Sequence, residues 1–324
     1  MEPKFVKSAL SRARGFVTIA TGERHYYEIA RNLLRSYRLF SKHPMPFAII
    51  CDQDNEITSE FDDVVLIDNP YKSFLDKLRL PELAPYDETI FIDSDCLAYR
   101  DLNGLWKFFS HCGDFSTLGK SFPFGTHGWF QREDAGVFKD KVKFSMICQG
   151  GVYFMRKGRL DTFSDTCRYI LDNYESFRFP AYPVTDPVDE PVFALACAVH
   201  GYAPACNYKR VFCYFPICDC IEADISRGWL SYRYPPKKRD SLGRYLLHWS
   251  TVETKGEMYA DEVCKLERMV SSGFKPPVRW EFRNRLTDCF RLSISRFCRL
   301  ISYLFPSGLK ERVFACLNWK RLNK

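Results

Sequence analysis

The sequence has no uninterrupted run of about 18 apolar residues anywhere along its 324 positions, and a membrane-spanning helix needs about 20. It does not begin with an apolar signal core followed by a small-residue cleavage site, so we expect a cytoplasmic protein. Internal repeats and low-complexity linkers are missing too. Hydrophobic residues make up 46% and charged residues 27% of the chain, proportions that exclude a disordered, collagen-like or coiled-coil protein.

No CxxC pair occurs among the 14 cysteines, which disfavours the common zinc sites built from such pairs. Without an export signal, a disulfide framework is not expected either. Several cysteines lie in or beside apolar runs, where a thiol behaves as a small hydrophobic side chain. The densest group, for which a structural zinc site and plain reduced thiols both stay open, is Cys206, Cys213, Cys218 and Cys220.

The excess positive charge is confined to the last 50 residues. Residues 275–324 contain 12 lysines and arginines against 3 acidic residues, whereas the rest of the chain contains 35 against 37. The body therefore lacks the basic character of a nucleic-acid-binding surface, and we expect no nucleic-acid partner.

Short β-rich runs alternate with helical patterns in the first half of the chain. Strands are predicted at 16–21, 47–52, 64–68 and 89–93, and helices at 27–40 and 73–80. A loop at 121–145, a strand at 152–155, a helix at 191–200 and a strand at 244–248 are predicted to follow. This alternation predicts an α/β fold with a mostly parallel sheet and flanking helices. Ligands bind such sheets at the carboxyl ends of the strands.

Two aspartates, Asp93 and Asp95, end the apolar run of residues 89–95 with one serine between them. At the two-residue repeat of a strand their side chains point the same way, so both carboxylates can face one cation. Mg²⁺ and Mn²⁺ prefer carboxylate and phosphate oxygens as ligands. The residues alone leave two interpretations open, a divalent-cation site and a solvated strand end with a turn-forming aspartate.

Around these aspartates the sequence resembles glycosyltransferase family eight, which includes glycogenin and bacterial lipopolysaccharide galactosyltransferases. Four short segments carry the resemblance: KLRL at 77–80, PYD at 85–87, IDSD at 92–95 and DLNGLW at 101–106. It extends more loosely over residues 15–256. The resemblance implies a GT-A type, Rossmann-like fold, which we assign to a catalytic domain at residues 1–272, followed by a helical tail at residues 273–324.

The resemblance also implies a nucleotide-sugar site. The residues that would bind the donor are Ala20, Thr21, Tyr26, Lys77, Asp93, Ser94, Asp95 and Lys255, with Tyr27 as the alternative to Tyr26 for stacking on the base. His248 matches the histidine that completes a metal site with the two aspartates, and the metal would be Mn²⁺ or Mg²⁺. The segment after His248 departs from the family pattern, in which a glycine, a lysine and often a Pro-Trp pair follow the histidine: Lys255 is present, but the glycine before it and the Pro-Trp pair after it are missing.

The reacting sugar would lie beside two further segments. Gln149 stands where the family has asparagine, and Asp189 and Glu190 match an Asp-Gln pair. Asp189 would orient the sugar or stabilise its oxocarbenium-like state, and we do not assign it as a nucleophile. Each residue also has a structural interpretation: Asp189 and Glu190 are typical of a helix start, His248 of a core histidine, Lys77 of a solvated helix, and the tyrosines of packing.

The predicted function is a metal-dependent, retaining glycosyltransferase that moves a hexose from a UDP-sugar to a glycan or glycolipid acceptor. Two enzyme alternatives also use an acidic pair. A haloacid-dehalogenase-like phosphatase has Thr or Val where this chain has Leu97, and a sugar nucleotidyltransferase has a glycine-rich basic loop near its start that is missing here. A catalytically inactive nucleotide-sugar-binding module is the third alternative.

The basic tail has a helical pattern of its own. Apolar residues recur in steps of four and three at Phe282, Leu286, Phe290, Ile294, Phe297, Ile301 and Leu304, and Arg285, Arg291, Arg296 and Arg299 lie off this stripe. An amphipathic basic helix can lie on the anionic surface of a membrane. Peripheral membrane binding through residues 276–324 and docking of the helix on the catalytic body both stay open.

Overall fold

The computed structural model describes residues 4–5, 13–182, 186–234, 241–242 and 244–273. By its internal contacts the chain divides into two units, Met1–Lys275 and Pro276–Lys324. The second unit, which carries the predicted amphipathic tail, lies outside the described residues.

The strands of the described residues are β1 Lys4–Phe5, β2 Arg14–Ala20, β3 Phe47–Cys51, β4 Asp63–Leu66, β5 Glu88–Ile92, β6 Cys96–Ala98, β7 Phe115–Phe122, β8 Ser145–Arg156, β9 Phe212–Tyr214, β10 Asp219–Asp224, β11 Trp229–Arg233, β12 Ser241–Leu242 and β13 Leu246–His248. The α-helices are α1 Arg24–Phe40, α2 Leu80–Leu83, α3 Trp106–Phe109, α4 Asp161–Asp172, α5 Asp189–His200 and α6 Glu257–Ser271. In this part of the chain no helix is long and apolar enough to cross a membrane.

The main sheet has seven strands in the order β1-β4-β3-β2-β5-β8-β7. Its four central strands, β4, β3, β2 and β5, are parallel, and the strands outside them pair antiparallel. Neighbouring residues of β2 pack into different apolar clusters, Val17 into one and Phe16 into the other. Both faces of the sheet are therefore covered, as the continuous apolar runs of parallel strands require.

The α/β class predicted from the sequence is confirmed, and most predicted elements of the first half lie within a few residues of their observed bounds. Strands β1 and β7 of the main sheet and helices α4 and α6 were not predicted. Strand β8 is twelve residues long and pairs with β7 across a register shift, whereas the sequence predicted only its last part. Gly119 and Lys120 interrupt the apolar pattern of β7, so the sequence did not indicate a strand there.

A small second sheet, β6-β13-β9, joins the end of β5 to the C-terminal part of the unit. In this sheet His248 pairs with Cys96 of β6 on one side and with Tyr214 of β9 on the other. Helix α6 is fixed by the buried carboxylate of Glu262, which accepts hydrogen bonds from the Tyr99 hydroxyl at 2.8 Å and from the Ile225 amide at 2.7 Å. The strand pairing of β13 with β6 holds His248 beside the strand that follows Asp95.

Candidate active site

A tight turn between β5 and β6 carries the two aspartates. Strand β5 ends at Ile92, and the Asp93 amide donates to the carbonyl of Gly151 in β8 at 3.0 Å. The carbonyl of Asp95 accepts from the Trp249 amide at 3.1 Å. The turn, rather than the two-residue repeat of a strand, brings both side chains to the same pocket, because its backbone is held between β8 and the residue that follows β13.

A pocket of about 270 Å³ opens at the carboxyl ends of the central strands. Its lining residues are Ile19, Ala20, Thr21, Tyr26, Lys72, Ser73, Phe74, Lys77, Asp93, Ser94, Asp95 and Thr251. All the residues assigned to the donor from the sequence are among them except Lys255.

The turn after β2 also needs a glycine, since Gly22 has φ +85°, a region that residues with a Cβ rarely adopt.

The segment between Tyr71 and Lys77 forms one wall of this pocket, and the buried carboxylate of Asp76 holds it in place. Asp76 accepts hydrogen bonds from the amides of Tyr71 at 2.8 Å and Lys72 at 3.0 Å, and from the Thr21 hydroxyl at 3.0 Å. Ser73 caps the short helix Phe74–Arg79 by accepting from the Leu75 amide. Asp76 therefore ties the end of β2 to the opposite wall and organises both sides of the pocket.

Lys77 is a buried cation at the back of the pocket. Its Nζ lies 2.6 Å from Oδ2 of Asp93 and 3.8 Å from Oδ2 of Asp189. Burial lowers the pKa of Lys77, but the attraction of Asp189 and Asp93 is stronger in sum and the net pKa is raised. The ammonium group therefore stays charged and joins the two aspartates of different elements.

Asp95 and His248 form the second charged contact of the site. Nε2 of His248 lies 3.0 Å from Oδ1 of Asp95 and 3.8 Å from Oδ2 of Asp93. Burial raises the pKa of Asp95, but His248 and Lys77 outweigh it and the net pKa is lowered. For His248 burial lowers the pKa, and the two carboxylates reverse this to a net rise. The carboxyl group of Asp95 is thus an anion next to an imidazole.

The residues present fit a small hard cation. Oδ1 of Asp95 is buried and lies 3.0 Å from Nε2 of His248, and no further polar partner of this oxygen is found among the described residues. A buried carboxylate oxygen in this state is an available metal ligand. In the described part of the chain, the group whose ligand atoms lie within 4.8 Å of one another is Asp95, Cys96 and His248.

The structure therefore places Asp95 and His248 together, while Asp93 is held by Lys77. Burial raises the pKa of the Cys96 thiol well above its usual range, and a neutral thiol is a poor ligand for Mn²⁺ or Mg²⁺. Of the three predicted metal ligands, Asp95 and His248 have ligand atoms close together, and the ligand role of all three residues remains a prediction.

Asp189 and Glu190 begin helix α5 and pack against the backbone of β8. A Cβ on Gly150 would lie 3.0 Å from Oδ2 of Asp189, and one on Gly151 would lie 2.9 Å from Nδ1 of His248. The approach at Gly151 is closer than real Cβ atoms show and the one at Gly150 is tighter than most, so a larger residue at either position would displace the neighbouring side chain. The two glycines therefore let β8 lie close to both Asp189 and His248.

Hydrogen bonds fix the orientation of both carboxylates. Oδ2 of Asp189 accepts from the hydroxyl of the fully buried Tyr153 at 2.6 Å. Glu190 accepts from the Gly150 amide at 2.6 Å and from the Tyr182 hydroxyl at 3.0 Å. Gln149 lies in β8 beside them and is partly buried. Tyr153 and Tyr182 were not predicted as site residues, because a tyrosine in an apolar run is indistinguishable in sequence from one that packs in the core.

Glu190 is expected to make stability depend on pH. Burial and the nearby Asp189 raise its pKa to about 7, while Gly150, Tyr182 and Lys77 lower it less. An ordinary glutamate has a pKa of about 4.3. Between that pH and about 7, Glu190 therefore keeps its proton in the folded chain and loses it in the unfolded chain. The free energy of unfolding should therefore fall as the pH rises from about 4.5 to 7, by at most about 3 kcal/mol.

Glu190→Gln should remove this slope, because the amide does not titrate. The measurement is the free energy of unfolding by urea at several pH values, taken as the difference between variant and wild type. Glu133→Gln, at an exposed position, is the matched control and should leave the slope unchanged. Equal pH profiles for Glu190→Gln and wild type would contradict the assignment.

Two of the residues predicted to bind the donor, Lys255 and Tyr27, do not line the pocket. Lys255 is exposed in the short helix Glu253–Lys255 and does not line the pocket, which Thr251 reaches instead. Tyr26 lines the pocket, whereas Tyr27 is buried and its hydroxyl donates to Asp52. The base-stacking alternative therefore falls to Tyr26, and the diphosphate contact of Lys255 remains a prediction.

No protein-family model and no curated protein matches the sequence. Among solved structures, the chain is similar to an active-site glutamine-to-glutamate mutant of LgtC and to the galactosyltransferase LgtC in complex with donor and acceptor sugar analogs. Each has 13% identity and a TM-score of 0.46, covering 82% of this chain and 99% of LgtC. It is also similar to the apo bifunctional glycosyltransferase WbbM, with 13% identity and a TM-score of 0.39. That match covers 64% of this chain but spans only 41% of WbbM.

Proposed function

We propose that the chain is a metal-dependent glycosyltransferase that transfers a hexose from a UDP-sugar to a glycan or glycolipid acceptor with retention of configuration. The observation that carries the proposal is one continuous site. A pocket at the carboxyl ends of parallel strands contains Asp93 and Asp95, and the buried Lys77 links it to Asp189. Such a site provides anion contacts and a metal position for a diphosphate next to carboxylates for a sugar.

The donor would lie along this pocket. Tyr26 would offer an aromatic face to the base, and Thr21 would lie near the ribose. Asp95 and His248 would hold Mn²⁺, or Mg²⁺, with Asp93 as a further candidate ligand. The bound metal would supply a Lewis acid for the diphosphate leaving group. Lys77 adds a fixed positive charge beside it, which needs no reorganisation as negative charge develops.

The sugar would face the acidic pair. Tyr153 holds one oxygen of Asp189, which leaves the other oxygen to contact sugar hydroxyls or the positive charge at the anomeric carbon. Glu190 is fixed by the Gly150 amide and by Tyr182, next to the predicted position of the sugar and near Gln149. These groups would orient the sugar and exclude water from the reacting bond.

Thermal unfolding with nucleotides tests the proposal. UDP, GDP, CMP and ADP are each added with and without Mn²⁺, and a ligand at 100 times its Kd should add about 2.7 kcal/mol, which corresponds to a rise in Tm of several degrees. We expect a rise that needs both UDP and Mn²⁺. A rise in Tm with another nucleotide would mean that the donor is a sugar derivative of that nucleotide. No rise in Tm with any nucleotide would contradict the proposal. Nucleotide binding without hydrolysis of UDP-sugars would favour an inactive binding module.

Residues 276–324 are proposed to bind an anionic membrane surface, where a glycolipid acceptor would be available. Each basic residue near such a surface contributes about 1 kcal/mol, so the full chain should sediment with phosphatidylserine vesicles at low salt and be released at high salt. Deletion of residues 276–324 should abolish binding. Neutral phosphatidylcholine vesicles are the control, and absence of binding to anionic vesicles at low salt would leave docking on the catalytic body as the interpretation.

A further inference from the structure

Two thiols lie close together beside the strand that ends in His248, the histidine of the proposed metal site. Sγ of Cys213 is 3.2 Å from Sγ of Cys218, and a disulfide bond requires about 2.0 Å. A movement of about 1 Å between the sulfur atoms is therefore enough to close a bond. Cys213 is fully buried in β9, and Cys218 is partly buried after the short turn Phe215–Ile217.

This pair is connected to His248 through one short segment. Cys213 is paired with Leu247 of β13, and the next residue, Tyr214, is paired with His248. The Tyr214 ring lies 5.1 Å from the His248 ring, and the Phe215 ring stacks on Trp249 at 4.9 Å. The residues between the two cysteines thus pack against the histidine and the residue after it.

We infer that Cys213 and Cys218 are a reversible dithiol–disulfide site that fixes the segment 212–218 against His248. The inference does not depend on the nucleotide or on the reaction of the proposed function. It gives a role to two of the four clustered cysteines, for which the sequence left zinc and plain thiols open. Only Cys213 and Cys218 of that cluster form a close sulfur pair among the described contacts.

The oxidant is a low-molecular-weight disulfide such as oxidised glutathione. The more accessible Cys218 loses its proton, attacks one sulfur of glutathione disulfide and releases one glutathione thiolate. The Cys213 thiolate then attacks the Cys218 sulfur, forms the Cys213–Cys218 bond and releases the second thiolate. Both cysteines are oxidised and the glutathione disulfide is reduced to two thiols. Burial and the neighbouring Cys218 raise the pKa of Cys213, an effect that Arg244 partly offsets.

Closing this short loop should stabilise the segment that contacts His248. A disulfide bond stabilises a folded segment mainly because it restricts the conformations that the same segment can adopt when unfolded. Amide hydrogen exchange in Phe212–Tyr214 and Leu246–His248 should therefore be about tenfold slower in the oxidised protein than in the reduced protein. The Tm should rise by a few degrees on oxidation and return with dithiothreitol.

In the test, the full chain is incubated in buffers of reduced and oxidised glutathione, with EDTA to remove metals. Disulfide bonds are then mapped from the masses of the peptides. We expect a cross-link between the peptides of Cys213 and Cys218, with the loss of two hydrogen atoms and no bound glutathione. Cys218→Ser should lose the cross-link, the slower exchange and the rise in Tm. Cys220→Ser, at the exposed cysteine two positions away, is the matched control and should keep all three.

Two results would overturn the inference. One is a bridge that joins Cys218 to Cys220 or Cys206, or glutathione that stays on Cys218 without resolution. The other is unchanged hydrogen exchange in β9 and β13 once the Cys213–Cys218 bridge has formed. Disulfide mapping of the wild type needs no variant, so a Cys218→Ser protein that fails to fold leaves the test intact. No readout uses a nucleotide, so failure of the proposed function and failure of this inference are distinguishable.

Discussion

Asp95→Asn is expected to reduce metal-dependent turnover by a factor of at least about a thousand, at the upper end of what a single electrostatic contact contributes in active sites. The substitution keeps the size of the side chain and the backbone bond from Trp249. It removes the negative charge that faces His248 and, with it, a proposed metal ligand. Because the carboxylate has a lowered pKa, the wild-type residue is ionised at neutral pH and its loss is a loss of charge.

The measurement is the release of UDP from UDP-glucose and UDP-galactose with and without Mn²⁺, together with the Tm of each variant in EDTA. Asp87→Asn is the matched control, since Asp87 is exposed and lies just before β5, at the end of that strand opposite to Asp95. It should retain wild-type turnover. Full activity of Asp95→Asn would remove the metal assignment, whereas a large fall in Tm would attribute the loss to unfolding.

Lys77→Met is expected to lower the free energy of unfolding by about 3–5 kcal/mol, the range for removing one partner of a buried ion pair. The variant leaves Asp93 and Asp189 without the cation that lies 2.6 Å from one and 3.8 Å from the other. For a unit of this size the fall in Tm should be on the order of 10 °C. Turnover should fall as well, because the fixed charge beside the proposed diphosphate is lost.

Lys72→Met is the matched control for this prediction. Lys72 lines the same pocket, but its side chain is 59% exposed and its ion pair with Asp52 spans 3.9 Å. An exposed pair of this kind contributes about 0–1 kcal/mol. Mn²⁺ should raise the Tm of Lys77→Met more than that of wild type, because a divalent ion replaces part of the missing positive charge. A Lys77→Met protein as stable as wild type in EDTA would contradict the role of Lys77 as the cation between the aspartates.

The sequence determined the elements whose evidence is local. The apolar runs of β2, β3 and β5 are continuous because both faces of these strands are covered, so composition alone marks them as buried strands. Strand ends in a parallel sheet meet at one edge. For this reason the polar residues after β2 and β5 were candidates for a site, and the family resemblance then implied that Thr21 and Asp95 contact the same donor.

Other features of the site depend on distant parts of the chain. The antiparallel register that places His248 opposite Cys96 joins positions about 150 apart in the sequence, and no local pattern encodes that register. The same holds for Lys77 and Asp189, whose contact requires α5 and the helix Phe74–Arg79 to lie next to each other. The exposure of Lys255 and the approach of Thr251 to the pocket follow from the turn between β13 and α6.

What the sequence by itself determined is the α/β class and the set of side chains at the strand ends, because periodicity and burial act over a few neighbouring residues. Only the tertiary structure decided which of these charges touch. It paired Lys77 with Asp93, set Asp95 against His248, and brought the thiols of Cys213 and Cys218 within reach of each other. These contacts depend on strand register and on the close backbone approach that Gly150 and Gly151 allow, which the packing of the whole unit fixes.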